Sequence, residues 1–442
     1  MGKVLELAED LWTGKKDTFT YHPFGMPRGL ELIDDRDSNR TWFYRGFSNT
    51  IIRETDEGLI IVDPGALFDI RERFRAVRKV SQQRLNTAIF THGHVDHVGV
   101  RNYLKESKKK GWSTPQVIGH KSMIDRFDRY KLTQSWNGYI NLRQFRGNQG
   151  EPMFPTDFYY PDKIYDGELA LNIGGVNVQL KHSRGETNDH TWVFFPDSSV
   201  LCTGDLFIWA IPNTGNPQKV QRYANEWAIA LREMASKNPK ILCPGHGVPI
   251  IGRERILDAL NDTATLLESL HSQTIDLMNK GVSLDTVIHN VKVPDELLKK
   301  PYLKPVYDEP EFIVRNIWRL YGGWYDGTPS HLKPAPETAK ANEIANLSGG
   351  AKKLAERAKE LLEQGDLKMA CHLAEWAFLS SPDDDFVRKI ASDVFTNRAK
   401  AETSTMAIGI YLSAARDMRG ETKSESPGNT IKFSQDERRE KR

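Results

Sequence analysis

Cysteine is scarce in this chain. Cys202, Cys243 and Cys371 are the only three in 442 residues, odd in number and far apart. No disulfide framework can be read from them, which excludes the small stapled folds of secreted domains. Long apolar runs are missing as well. No stretch approaches the roughly 18 to 20 apolar residues of a spanning helix. The opening "MGKVLELAEDLWTGKK" carries acids where a secretory leader needs an apolar core. Gly2 is followed by Leu5 and Glu6 rather than by the Ser or Thr of a myristoylation signal. The expectation is a cytoplasmic protein with no membrane contact. Charge of one sign is also missing: 61 Lys and Arg stand against 59 Asp and Glu, for a net +2. Nothing in that balance favours nucleic acid as a partner.

A chain of this length suggests two domains. Up to about residue 250 it reads as short strands broken by Gly, Pro and Asp. "TWFYRG" (41–46), "TIIRET" (50–55) and "GLIIVDPG" (58–65) look like successive strands and turns. "IRERFRAVRKV" (70–80) places Phe74, Val77 and Val80 at helical spacing. "LNTAIFTHGH" follows as a buried strand, and further strands are expected in "GVNVQLKHS", "HTWVFFP", "SSVLCTGD" and "KILCPGHG". Residues 101–165, rich in aromatic and basic side chains, read as an insertion near a site. Beyond 252 the texture becomes helical. "RERILDALNDTATLLESLHSQTIDLMNKG" is an amphipathic helix ending at Gly281. Residues 349–385 read as a helical hairpin, with Leu354, Ala358, Leu361 and Leu362 facing Ala370, Leu373, Ala374 and Ala377 across a turn at Gly365. It resembles one tetratricopeptide-like unit, without a second copy at a fixed period. The last stretch is polar and charged and is expected to be disordered.

The chemistry concentrates in "FTHGHVDHVG" (90–99), with His92, His94, Asp96 and His97 within six positions. A core histidine needs one hydrogen-bond partner, not three neighbours of its own kind. One metal cannot comfortably use all four side chains of so short a loop, but two adjacent metals can share them. Imidazole and carboxylate without thiolate suit Zn²⁺ and also admit Mn²⁺ or Fe. Further donors stand at the ends of expected strands: Asp205 in "TGD", His246 in "PGHG", and Glu186 in "RGETNDH", where His182 and His190 are alternatives. Asp63 is a candidate to orient one of the ligating histidines.

T-H-x-H-x-D-H-x-G, preceded by "IIVDPG" and followed by "TGDLF" and "PGHG", resembles the metallo-β-lactamase superfamily across residues 40–250. The resemblance implies an α/β fold, an αββα sandwich with two metals at its edge. It implies one site from His92, His94 and a third ligand, a second from Asp96, His97 and His246, and a bridging Asp205. Where much of the superfamily has Gly-His-Thr, this chain has Gly185-Glu186-Thr187, which is similar to the alkyl sulfatases of the superfamily. "NIWRLYGGWYDGTPSHLKP" (316–334) and "GDLKMACHLAEWAFLSSPDD" (365–384) resemble their helical dimerisation domain. Asp205 departs from the glutamate those enzymes carry at that position.

The resulting expectation is a catalytic sandwich over residues 1–270, an all-α dimerisation domain over 271–420 and a tail over 421–442. The protein would be a homodimeric hydrolase of sulfate esters, with two zinc ions per subunit activating water. Asp96 and Asp205 are read as catalytic as well as ligating. Lys219 and Arg222 are candidates to clamp the sulfate, and Asn213 and Asn216 to donate hydrogen bonds to it. Trp136, Tyr139 and Phe145 are candidates for the apolar group, and Trp324 and Tyr325 for packing against a partner. A thioesterase, lactonase or phosphodiesterase is the alternative within this fold, and a non-catalytic helical scaffold is the alternative outside it.

Overall fold

A computed structural model describes residues 2–35, 39–67, 69–145 and 154–421. Contacts divide the chain into two units, residues 1–137 with 153–327, and residues 138–152 with 328–442. The tail from residue 422 onward lies outside the described residues.

In the first unit helix α1 (Lys3–Trp12) precedes four antiparallel strands, β1 (Gly29–Asp34), β2 (Thr41–Arg45), β3 (Thr50–Thr55) and β4 (Gly58–Val62). Helix α2 (Ile70–Val80), β5 (Leu85–Ile89), α3 (Arg101–Lys110), β6 (Gln116–His120), α4 (Ser122–Leu132), α5 (Gln134–Gln144, assigned to the second unit from residue 138) and β7 (Lys163–Tyr165) follow. Strands β4 to β7 run parallel, because helices make the crossovers that parallel pairing requires. The sheet order is β1 through β7 in sequence. A second sheet contains β8 (Glu168–Ile173), β9 (Val176–His182), β10 (Thr191–Phe195), β11 (Val200–Ile208), β12 (Ile241–His246) and β13 (Ile250–Ile251). Only β11 and β12 are parallel there, and α6 (Ala224–Ser236) connects them.

The strands bury both faces of the first sheet by alternation. Ile60 and Val62 point into a core shared with Val178, Leu180, Val193 and Leu201 of the second sheet. Leu59 and Ile61 point the other way, onto Val77 of α2, Tyr103 of α3 and Phe127 of α4. Trp227 and Leu231 of α6 join the inter-sheet core, as do Ile256, Leu260 and Ala264 of α7 (Arg253–Asn279). The result is an α/β sandwich of two mixed sheets between helices.

Two sequence expectations shift here. Residues 101–165 do not interrupt the sandwich: β6 and β7 complete its first sheet. Val117 and Ile118 are both fully buried, on opposite faces, so "QVIGH" shows no polar alternation to mark it as a strand. The contact boundary falls at residue 327 rather than 270. Helices α8 (Leu284–Asn290), α9 (Asp295–Lys299) and α10 (Pro310–Gly322) belong to the first unit, because Val287, Leu297, Ile313 and Ile317 join its core.

The described part of the second unit is helical: α11 (Pro329–Leu332), α12 (Glu337–Ser348), α13 (Ala351–Glu363), α14 (Leu367–Ser380), α15 (Asp385–Lys400) and α16 (Thr405–Arg419). Leu354, Ala358 and Leu361 of α13 meet Ala370, Ala374 and Ala377 of α14, the hairpin read from sequence. Helices α15 and α16 extend that core through Val387, Val394 and Ala415. The Asp384 side chain caps α15, accepting from the Phe386 and Val387 amides at 3.0 and 3.2 Å. Among the described residues no helix is long and apolar enough to cross a membrane.

Candidate metal centre

The parallel strands of both sheets bring their carboxyl ends to one edge. Strand β4 ends in Asp63, β5 runs into Thr91 and the histidine loop, β11 carries Asp205 and β12 ends in His246. Between β11 and β12 the register slips around Gly204 and again before Ile208, a bulge that re-aims Asp205. Gly245 makes room for it: a Cβ there would lie 1.9 Å from Asp205 Oδ1.

Seven side chains converge, in two groups. His92, His94, Glu186 and Asp205 form one, and Asp96, His97 and His246 the other. Glu186 Oε2 lies 3.6 Å from His92 Nε2 and 3.5 Å from His94 Nδ1. Asp205 faces both groups, with Oδ2 3.7 Å from His92 Nε2 and 3.3 Å from His246 Nε2, and Oδ1 3.4 Å from His97 Nε2. Asp96 Oδ2 is 3.3 Å from His97 Nε2 and 3.4 Å from His246 Nε2. Ligand bonds of about 2.0–2.1 Å in a tetrahedron put donor atoms about 3.3–3.4 Å apart. These separations therefore suit a cation inside each group better than direct hydrogen bonds, although His92 Nε2 and His94 Nδ1 are only 2.8 Å apart. His97 Nε2, Glu186 Oε2 and Asp205 Oδ1 are buried without a hydrogen-bond partner, which a cation would supply. The donor set fits divalent metal.

One carboxylate orients two of the histidines. Asp63 Oδ2 lies 2.8 Å from His97 Nδ1, which places the ring proton on Nδ1 and turns Nε2 toward Asp96 and Asp205. The Thr91 hydroxyl donates to the same Asp63 oxygen at 2.8 Å, so it accepts from His92 Nδ1 at 3.0 Å. Asp63 thereby sets the tautomer of His92 through Thr91 and that of His97 directly. Its backbone sits at φ +53, a left-handed conformation that Asp and Asn tolerate. His246 Nδ1 meets the Phe47 carbonyl at 2.6 Å, leaving Nε2 for the site. Gly93, between the two first histidines, donates its amide to Asp189 at 2.9 Å. Asp189 is in turn clamped at 2.7 Å by Arg126 of α4, an ion pair wholly buried.

Glu186 meets a counter-charge. Its Oε1 accepts from Arg222 Nη1 at 2.6 Å and from Asn213 Nδ2 at 2.5 Å. Burial nevertheless pushes the carboxyl up to about 8, Arg222 opposing and Asp205 adding. Burial alone would keep His97 and His246 neutral. Their carboxylate neighbours outweigh it, raising His97 well above the usual imidazole value and His246 to about 9. Neither alternative third donor reaches the cluster. His182 bonds the Asn188 carbonyl at 2.9 Å. His190 Nε2 accepts from the Asp205 amide at 3.1 Å, its ring stacked on His92, and burial holds it down at about 4.

Of the residues read as sulfate contacts, Asn213 and Arg222 bond Glu186. Asn216 accepts from the Gln218 amide at 3.1 Å and is buried. Lys219 is half-buried; burial lowers its ammonium to about 8, and Arg222 adds to that. Trp136 lies in the first unit and is exposed, whereas Tyr139 and Phe145 belong to the second. Sequence reading did not mark Asp189, Arg126, the Thr91 relay or the Phe47 carbonyl. Thr91 and Asp189 sit inside the quoted motifs, so their polarity beside ligands was the only signal. Arg126 and Phe47 carried none.

Similarity to known proteins agrees with this geometry. The Metallo-beta-lactamase superfamily model matches residues 44–246, and the Alkyl sulfatase dimerisation model matches residues 283–421. Residues 44–246 thus match a metallo-β-lactamase superfamily domain and residues 283–421 an alkyl sulfatase dimerisation domain. A linear primary-alkylsulfatase of Pseudomonas sp. is 28% identical over 83% of this chain and 73% of its own length. The alkyl/aryl-sulfatase of Saccharomyces cerevisiae is 23% identical over 84% of this chain, which spans 61% of that relative. The structure of the stereoselective inverting sec-alkylsulfatase from Pseudomonas sp. superimposes with a TM-score of 0.80 at 20% identity, over 90% of this chain and 66% of that one. The curated relatives and the superfamily match support a hydrolase.

Proposed function

We propose that this protein hydrolyses sulfate monoesters of apolar alcohols with two zinc ions held in the seven-donor cluster, and that it works as a homodimer. The observation that carries the reading is Glu186, joined to His92 and His94 and braced by Arg222, in a chain whose relatives are named alkylsulfatases. His92, His94 and Glu186 would hold one ion, Asp96, His97 and His246 the other, with Asp205 between them. Bound zinc supplies Lewis acidity and a water of lowered pKa.

The protein's own groups set the charge balance. Three carboxylates against two divalent cations leave about +1, and Arg222 beside Glu186 adds one more. A doubly charged phosphate monoester would match that charge and be held too tightly for turnover, whereas a singly charged sulfate monoester would bind more loosely. Lys219 and Arg222 stand on the Glu186 side, where a sulfate's non-bridging oxygens would be held. Asp63 and Thr91 hold the Nδ1 protons of His97 and His92, so that Nε2 of each neutral ring would be free for metal. The dimerisation domain, together with the exposed Trp324 and Tyr325, supports assembly of two copies. The test is kcat/KM for matched sulfate and phosphate esters of one alcohol, with the wild type and Arg222→Ala. The reading expects the sulfate to be preferred and that preference to shrink in the variant. Faster turnover of the phosphate would refute it.

A further inference from the structure

An aromatic wall stands beside the cluster, and none of its rings is among the seven donors. Phe24 packs on the His246 ring at 4.3 Å between centroids and on Tyr307 at 4.5 Å. Phe47 meets Phe24 at 5.4 Å and His246 edge-on at 5.7 Å. Phe24 and Phe47 are only half-buried, while Tyr307 is buried behind them. The wall is built rather than incidental. Buried Arg45 donates to the carbonyls of Met26 and Pro23 and pins the segment that carries Phe24. His22 is tied to the Val306 carbonyl at 3.1 Å, next to Tyr307. Phe47 is placed by its own carbonyl, which meets His246 Nδ1.

The opening of the cluster lies on the same side. His94 and Asp96 are its most exposed donors, at 19% and 14% of their side chains, against 8% or less for the others. Asp96 touches His246, which the two phenylalanines cover. Glu186, Asp96 and Asp205 add to the burial that raises the Tyr307 hydroxyl. Half-exposed aromatic surface beside a polar opening is costly unless something apolar covers it.

We infer that Phe24 and Phe47, backed by Tyr307, form the surface on which the apolar part of the substrate's alcohol rests. The inference builds on the sulfatase reading and names the group that selects among sulfate esters. A rival account, in which the rings only shield His246, predicts losses that do not depend on the alcohol.

The experiment uses the zinc-loaded full chain. It measures kcat/KM for ethyl, butyl, hexyl and octyl sulfate with the wild type, Phe24→Ala and Phe47→Ala, and calorimetric binding of the matching alkyl sulfonates. Zinc content and melting temperature report folding, and either variant alone suffices. A fully covered methylene contributes about fourfold, so the wild type should gain about two- to fourfold per methylene, chiefly through KM. Each variant should lose at least half of that slope on a logarithmic scale. Parallel slopes in wild type and variants overturn the wall and leave the sulfatase reading intact. Absent turnover, with sulfonate binding that depends on length in the wild type and not in the variants, overturns the sulfatase reading and keeps the wall. Neither turnover nor length-dependent binding overturns both.

Discussion

Asp63→Asn tests how the metal donors are aimed. The substitution fits the backbone, since asparagine tolerates φ +53 as aspartate does. It removes the carboxylate charge beside His97 and changes the hydrogen-bond capacity, at nearly constant size. Asp63 accepts three bonds, from the Thr91 amide, the Thr91 hydroxyl and His97 Nδ1. An asparagine can accept on one side only. If its oxygen keeps the Thr91 amide, its NH₂ faces His97 Nδ1 and favours the tautomer with the proton on Nε2, the atom turned toward Asp96 and Asp205. If it flips, the buried Thr91 amide is left unpaired, at a cost of about 1–3 kcal/mol. Loss of such an orienting partner lowers metal affinity about 10- to 100-fold, or about 1.4–2.7 kcal/mol at each ion. Both ions should be affected, because the Thr91 relay carries the same constraint to His92. Thr91→Val cuts only that branch and should weaken the His92 ion alone. The assay is zinc competition against a chelator of known affinity, with melting curves to confirm folding. Asp63→Asn protein that folds and holds both zincs within about threefold of wild type refutes the reasoning.

Glu186→Ala should lose zinc and turnover together, while His182→Ala keeps both; elemental analysis beside sulfate release decides between Glu186 and a histidine. Gly245→Ala should weaken the centre at least tenfold, since its methyl would stand 1.9 Å from Asp205 Oδ1; an unchanged zinc titration contradicts that close approach. Asp308 is wholly buried against the Gly215 and Glu309 amides, and burial pushes its carboxyl up to about 7. Its folded value lies above the ordinary one near 3.9, so its stabilising contribution is complete below about pH 4 and is lost as pH rises through about 7. Asp308→Asn cannot ionise and should lose up to about 4 kcal/mol less than wild type between pH 4 and 8. Parallel pH dependence of the two unfolding free energies rules that out.

The sandwich was legible because its strands alternate or end in Gly, Pro and Asp, and because the histidine loop packs its donors into six positions. The strands of 101–165 were not legible, since "QVIGH" buries both faces and carries no period to tell it from a loop. The clustering of Glu186 with His92 could be guessed from the Gly185-Glu186-Thr187 stretch. The choice against His190 needed coordinates, because its ring is close by but turned to the Asp205 amide. Arg222 read as a clamp for the sulfate and is buried against Glu186, a pairing across 36 positions that no local pattern encodes. Phe24 lies 222 residues from His246 in sequence and meets it only through the fold.

The most direct test is a zinc titration of metal-free protein with an alkyl sulfate present, following sulfate release per equivalent added. The account predicts that activity climbs to a break at two equivalents per chain. Saturation at one equivalent, or no sulfate released at any loading, contradicts it.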